Sequence, residues 1–367
     1  MISPMSVEGG LGSDKGGPNV GMRVRRPMGV TVGFVLIGAL LAGCGDDDDS
    51  EAGSGGDEPI IGVDYPRADS DFWNSYISYT PQMADELGAK IETTSSDNDI
   101  TNLVANVQTL TNRDAKAIVM APQDTAAIAP TLEQLENDDI PVVTIDTRPD
   151  TGNVFMVVRA DNRAYGEKAC MFLGEQLGGE GKVVEFQGAL SSVNGRDRSE
   201  AFIECMDENF PDIEVFELAT DWEGDVAASK LQTVLTTDPD INGIYMQAGG
   251  VFLAPTLQLL RQEGKLVPPD DPNHVFIVSN DGIPEELEAI RNGEIDATVS
   301  QPADLYARYG LFYAQAALEG ETFEPGPTDH DSTIVEVRSG VLEDQLPAPL
   351  VTSENVDDDA LWGNQID

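Results

Sequence analysis

Basic residues and histidines are what this chain has least of. Against 66 Asp and Glu stand 21 Lys and Arg, only seven of them lysine, and two histidines, for a net charge of −45 over 367 residues. That balance excludes a nucleic-acid partner, because holding a polyanion takes clustered Lys and Arg to displace its counterions, and the basic residues here are scattered. A histidine-built metal or catalytic centre lacks its material: His274 and His330 stand alone, outside any ligand-spaced motif. No G-x-S-x-G elbow occurs, and "GGEGKV" at Gly178 lacks the spacing and the Ser or Thr of a phosphate loop. Neither a metal nor a cofactor is expected. From Asp46 to Asp367 the acids are spread along the chain rather than gathered in one tail. A surface so charged resists salting-out and suits a high-salt habitat. The run Asp357-Asp358-Asp359 reads as a solvated loop.

Cysteine is almost as scarce: Cys44, Cys170 and Cys205. An odd count in an exported chain leaves one cysteine for a separate task. Cys44 stands where "FVLIGALLAGC" meets "GDDDDS". Met22 to Arg26 form a basic segment, residues 28–41 an apolar one, and Ala42 and Gly43 are small. This is the layout of a secretory signal, and about 14 apolar residues are too few to span a bilayer comfortably. Residues 1–43 therefore read as a signal peptide with its natural start at Met22. Leu41-Ala42-Gly43-Cys44 resembles the bacterial lipoprotein lipobox, which implies cleavage before Cys44 and lipidation of its thiol. After Cys44, Asp46 to Glu58 carry Gly, Ser and acid with nothing apolar larger than alanine, so 44–58 read as the lipidated cysteine and a flexible acidic spacer reaching about 20 Å.

From Pro59 onward the pattern alternates. Short β-branched runs such as "PIIGVDY", "AKAIVMA", "IPVVTID", "KVVEFQG", "HVFIVSN" and "IDATVSQ" are separated by amphipathic helical stretches. Such runs predict parallel sheets covered on both faces, and they are too many for one sheet in a chain of this length. Two α/β lobes follow. At 40% hydrophobic residues the composition supports a core in each. "EKACMFLGEQL" and "FIECMDENF" place Cys170 and Cys205 on neighbouring helices of the second lobe, where a disulfide is expected after export.

In open α/β sheets ligands bind beyond the carboxyl ends of the strands. At those places stand Phe72 and Trp73, Asp146, Arg196 with Arg198 close by, Trp222, Asp281 and Gln301. Rings that pack on C–H faces, with carboxylates, guanidiniums and amides for hydroxyls, suit a sugar or polyol.

"SDFW", "NVQTLTNRDAKAIVMAPQDTAAI", "IPVVTID", "GRDRSEAF", "NDGIP" and "IDATVSQPADLYARYG", in this order, resemble the ribose-binding-like solute-binding proteins of sugar ABC transporters over about residues 59–340. The resemblance implies a periplasmic-binding-protein-like I fold, with two doubly wound parallel-sheet lobes joined by a three-strand hinge. It places hinge crossings near Arg159-Ala160, Gln301-Pro302 and Ser332. Residues 59–159 plus 302–331 then form the N-terminal lobe, and 160–301 plus 332–367 the C-terminal one. Carried over, the ligand contacts are Phe72, Trp73, Asp146, Arg196, Trp222, Asp281 and Gln301. The implied protein is no enzyme. It is a monomeric lipoprotein outside the cytoplasm, periplasmic or anchored to the outer face of the cell membrane, that hands a small carbohydrate or polyol to an ABC permease and its ATPase subunits. A ligand-presenting protein for a histidine kinase or chemoreceptor, or a carbohydrate-active enzyme, are the alternatives. Two departures matter: Gln247-Ala248-Gly249 stands where the family often has Gln-Asn-Asp, and Thr147 where it often has Arg. Both disfavour ribose itself.

Overall fold

A computed structural model describes residues 58–366. The signal segment, Cys44 and all of the spacer but Glu58 lie outside the described residues. Within the described residues the chain builds two sheets.

The first sheet is assembled from β1 (Ile60–Tyr65), β2 (Lys90–Ser95), β3 (Ala115–Met120), β4 (Val142–Ile145), β5 (Met156–Ala160), β11 (Gly326–Pro327), β12 (Thr333–Arg338) and β13 (Val341–Leu346). Its order is β11-β12-β13-β5-β4-β3-β1-β2, parallel throughout except for the antiparallel β11, β12 and β13 steps. The second sheet contains β6 (Glu180–Gln187), β7 (Asp212–Ala219), β8 (Gly243–Met246), β9 (Phe276–Asp281), β10 (Ala297–Ser300) and β14 (Leu350–Thr352). Its order is β14-β10-β9-β8-β6-β7, with only β14 antiparallel. β4, β8 and β10 are buried at every position, as continuous apolar runs between two helix layers must be.

Helices α1 (Asp71–Leu87), α2 (Ile100–Asn112), α3 (Ala129–Asn137) and α9 (Ala303–Glu319) cover the first sheet. Helices α4 (Asn162–Gln176), α5 (Val193–Asn209), α6 (Gly224–Thr237), α7 (Gly249–Gln262) and α8 (Pro284–Arg291) cover the second. Local chemistry fixes their ends. Asp99, Asp161 and Ser192 accept hydrogen bonds from the first amides of α2, α4 and α5. Gly88 and Gly320 close α1 and α9 in the left-handed conformation.

Among the described residues the chain passes between the two sheets three times: at Asp161 after β5, at Gln301-Pro302 after β10, and at Pro347-Ala348-Pro349 after β13. The third crossing corrects the sequence reading, which put it near Ser332. Ser339-Gly340, with Gly340 at φ +77°, turns β12 into the hairpin partner β13. β13 then pairs with β5 of the first sheet, so the N-terminal lobe keeps the chain to Leu346. The two prolines end that ladder because neither can donate to it. The crossings are tied together: the Tyr306 hydroxyl accepts from the Ala160 amide at 3.1 Å, and Pro349 O accepts from the Ser300 amide at 2.9 Å.

Beyond β14 the tail returns to the first lobe. Trp362 is buried there, its ring edge-on to Phe72 at 6.1 Å. In the second lobe Cys170 on α4 and Cys205 on α5 are joined in a disulfide spanning 35 residues of sequence. Closing a loop of that length constrains the unfolded chain by about 2–4 kcal/mol. Chemical denaturation with and without reductant is expected to show a loss in that range, with the fold retained in the reduced protein.

Candidate ligand-binding site

The strand ends of the two sheets face each other across a cavity of about 390 Å³. Phe72, Trp73, Asp146, Trp222, Asp281 and Gln301 all line it, as do Asn194 and Arg198 of α5. Arg196 does not. Its side chain leaves the cavity for Asp150 of the other lobe, at 2.5 Å. The physical reason is helical spacing. Residues 194 and 198 are four apart and share one face of α5, whereas 196 projects away from that face. The cavity's guanidinium is therefore Arg198, not Arg196.

Arg198 is 2% exposed. It lies over the Tyr165 ring at 4.9 Å and the Trp222 ring at 5.8 Å, close enough for cation–π attraction. Its Nε donates to Asn162 Oδ1 at 2.6 Å, one terminal nitrogen to Gln247 O and the other to Gln301 Oε1 at 2.7 Å. Gln301 thus lines the cavity while orienting the arginine.

Two aspartates sit on either side, one from each lobe. Asp146 Oδ2 accepts from Asn194 Nδ2 at 2.8 Å, and its Oδ1 is buried with no partner. Burial pushes its pKa up to about 6 against the pull of Arg198 and Arg159. Asp281 Oδ2 accepts from the Gly250 amide at 2.8 Å. Burial raises it to about 7, with Arg198 opposing and Asp146 adding to the rise. Thr147 Oγ1 and Gln123 Oε1, both on the wall, are buried and unpartnered as well. Three cavity-lining residues thus each hold a buried oxygen without a partner, which costs free energy.

The backbone carries further cost here. Asp146 (φ +58°), Asp221 (+53°), Trp222 (+60°) and Asp281 (+117°) all have positive φ. Non-glycine residues held so are strained and cluster at functional sites. Trp222 stacks on Phe252 at 6.5 Å and 22°. It passes so close to Gly188 that a Cβ there would lie 1.9 Å from the indole. Phe72, 2% exposed, is wedged edge-on among Trp73, Tyr306 and Trp362.

Sequence reading missed Asn194, Arg67 and Gln123, and it weighed Arg198 but chose its neighbour. The i, i+4 pair Asn194 and Arg198 was the available signal. Arg67 follows β1 directly and grips Asp69 through two nitrogens, at 2.5 and 3.0 Å. Arg148, displaced by one position from the family's usual place, turns from the cavity to Glu343 at 3.0 Å.

The match to known proteins is decisive at this point: the model of the periplasmic binding protein domain covers residues 61–322. The chain belongs to that family. Among similar proteins, the ribose import binding protein of Haemophilus influenzae is 26% identical over 79% of this chain and 94% of its own. The xylitol-binding protein of Mycolicibacterium smegmatis is 26% identical over 64% of this chain and 65% of its own. A solved ABC transporter solute-binding protein from Mycobacterium smegmatis with bound glycerol superposes with a TM-score of 0.71, at 24% identity, covering 82% of this chain and 96% of that one. The fold is the type I periplasmic-binding fold: two α/β lobes with mixed sheets.

A carboxyl with a raised native pKa binds its proton more tightly in the folded than in the unfolded protein. Its stabilising contribution is present below the unfolded value of 3.8 and is lost as pH rises through about 7. Asp281→Asn is therefore expected to gain stability relative to the unmodified protein between pH 4 and pH 7, by up to roughly 4 kcal/mol. Urea melts at those two pH values measure it; equal differences at both would show that Asp281 is ionised throughout.

Proposed function

We propose that this protein captures one small uncharged polyhydroxylated molecule, a monosaccharide or polyol, outside the cytoplasm and presents it to the permease of an ABC importer. The observation that carries this is the cavity wall. Asp146, Thr147, Gln123 and Arg198 bring polar side chains to it, three of them with buried oxygens that lack partners, and Trp73 and Trp222 offer ring surface for C–H faces. The named relatives add support, since ribose, xylitol and glycerol are uncharged and hydroxylated.

A ligand touching both lobes binds the closed arrangement better than an open one, so binding shifts the equilibrium at the three crossings. A micromolar dissociation constant needs about −8 kcal/mol. Two or three hydrogen bonds to charged groups at about 1.5–3 kcal/mol each, with one stacked ring, supply it. No covalent step is required. Export and lipidation at Cys44 place the receptor on the outer face of the membrane, and the acidic spacer keeps it within about 20 Å of the surface.

Thermal shift across D-ribose, D-tagatose, xylitol, glycerol and myo-inositol is the direct test. At 100 times its dissociation constant a ligand stabilises by about 2.7 kcal/mol. At least one uncharged member is expected to raise the melting temperature; a response confined to charged solutes would overturn the reading. Trp222→Ala is expected to abolish the shift and also to lower the ligand-free melting temperature, because the indole packs on Phe252 and over Arg198. Radiolabelled palmitate should enter the chain in a lipoprotein-processing host and vanish in Cys44→Ser.

A further inference from the structure

The start of α5 does more than present Arg198 to the cavity. Its first six residues also reach across to the other lobe at three points. Asn194 donates to Asp146 at 2.8 Å. Arg196 donates to Asp150 at 2.5 Å and to Thr125 Oγ1 at 3.3 Å. Asp197 accepts from Arg159 at 3.0 Å. Arg159 is 1% exposed, stands near the end of β5 just before the first crossing, and donates as well to Asn194 Oδ1 at 2.7 Å. The neighbouring loop joins in: Ser191 O accepts from the Thr125 amide at 3.2 Å.

Both halves of this contact are stiffened from behind. On the C-terminal lobe the Cys205 disulfide fixes α5 to α4. Gly195 lets the loop before α5 fold onto the helix, because a Cβ there would stand 2.3 Å from Ala189 O. On the N-terminal lobe Arg338 donates to Pro149 O and Gly152 O, and Thr125 O accepts from the Asp150 amide at 2.8 Å.

We propose that Asn194, Arg196 and Asp197 form a latch that holds the lobes together independently of the ligand. Within it Asn194 is a positioning residue that fixes one oxygen of Asp146 so that the other faces the guest. Opening the lobes removes the Asn194 amide and frees the Asp146 carboxylate to turn. Recognition of a hydroxyl by Asp146 is thereby conditional on closure. Arg196 and Asp150 touch no ligand. Their side chains are 32% and 33% exposed, so their pairing is worth the modest amount of a partly solvated ion pair. It tunes affinity through the fraction of closed protein.

The test begins without ligand and so does not depend on the solute-binding reading. Native-state amide exchange on the full chain reads the Thr125 N–H, which is protected only while the lobes touch. The proposal expects this amide to be protected in the unmodified protein. It expects exchange to be about two- to five-fold faster in Arg196→Ala and in Asp150→Ala, with protection restored in the charge-exchanged double variant R196D/D150R. Amides of Val183–Phe186 in β6 should not change and control for folding. Free exchange of Thr125 in the unmodified protein, or no recovery in the exchanged pair, overturns the latch.

The affinity arm rests on the proposed function. For whichever of the five solutes binds, each single variant should weaken binding by about two- to five-fold without reordering the five, and Asn194→Ala should weaken it further. A changed ranking in Arg196→Ala would make it a ligand contact and overturn the assignment.

Discussion

A guanidinium taken out of water has to be surrounded by oxygen or by rings, and Arg198 gets both. Tyr165 and Trp222 lie against its faces, three acceptors take its nitrogens, and the two cavity aspartates flank it. Every other wall of the site is built to this arrangement. Gln301 and Asn162 are spent on holding the arginine. Gly188 is bare so that the indole of Trp222 can reach its place. Asp146 and Asp281 can be buried at all because one positive charge sits between their lobes, though burial still wins and both pKa values rise. The same group that steadies the carboxylates also keeps the two halves of the cavity compatible, since Asp146 and Asp281 come from opposite lobes.

Much of this was legible in the chain. The β-branched runs marked β1, β3, β4, β6, β9 and β10, and their alternation with amphipathic stretches gave the two-lobe division, because strands buried on both faces leave an unmistakable apolar signature. The strands missed were β11, β13 and β14. They are short or rich in acid: "VLEDQL" hides Glu343 and Asp344 inside the lobe, a pattern that reads as surface until their partners Arg148 and Tyr313 are known. That is why the third crossing was misplaced. Six of the seven expected contacts line the cavity, since strand ends are fixed by topology. The seventh failed because helix phase, not loop position, decides which of two nearby arginines faces inward.

Trp362 shows a different limit. Nothing local in "DDDALWGN" tells whether its indole is exposed. The structure buries it against Phe72, far away in sequence, with the Tyr79 hydroxyl near its carbonyl at 3.5 Å. The tail is fastened to the other lobe through Arg291, which donates to Asp357 and to Asn364. The aromatic floor under the cavity therefore borrows a residue from a segment tied to the opposite lobe, and only three-dimensional contact reveals it.

The acidic composition gives the latch its meaning. With 66 acids against 21 bases, bringing two acidic bodies together works against their mutual repulsion, which is felt over about 8–10 Å at moderate salt. Evenly scattered arginines would do little against this. Arg148, Arg159 and Arg196 instead stand along the seam, each beside a carboxylate of the facing lobe or of its own. Screening by salt weakens the diffuse repulsion more than it weakens ion pairs already at contact distance. A chain this acidic can thus keep its lobes apposed with few cations, provided those few stand where the lobes meet.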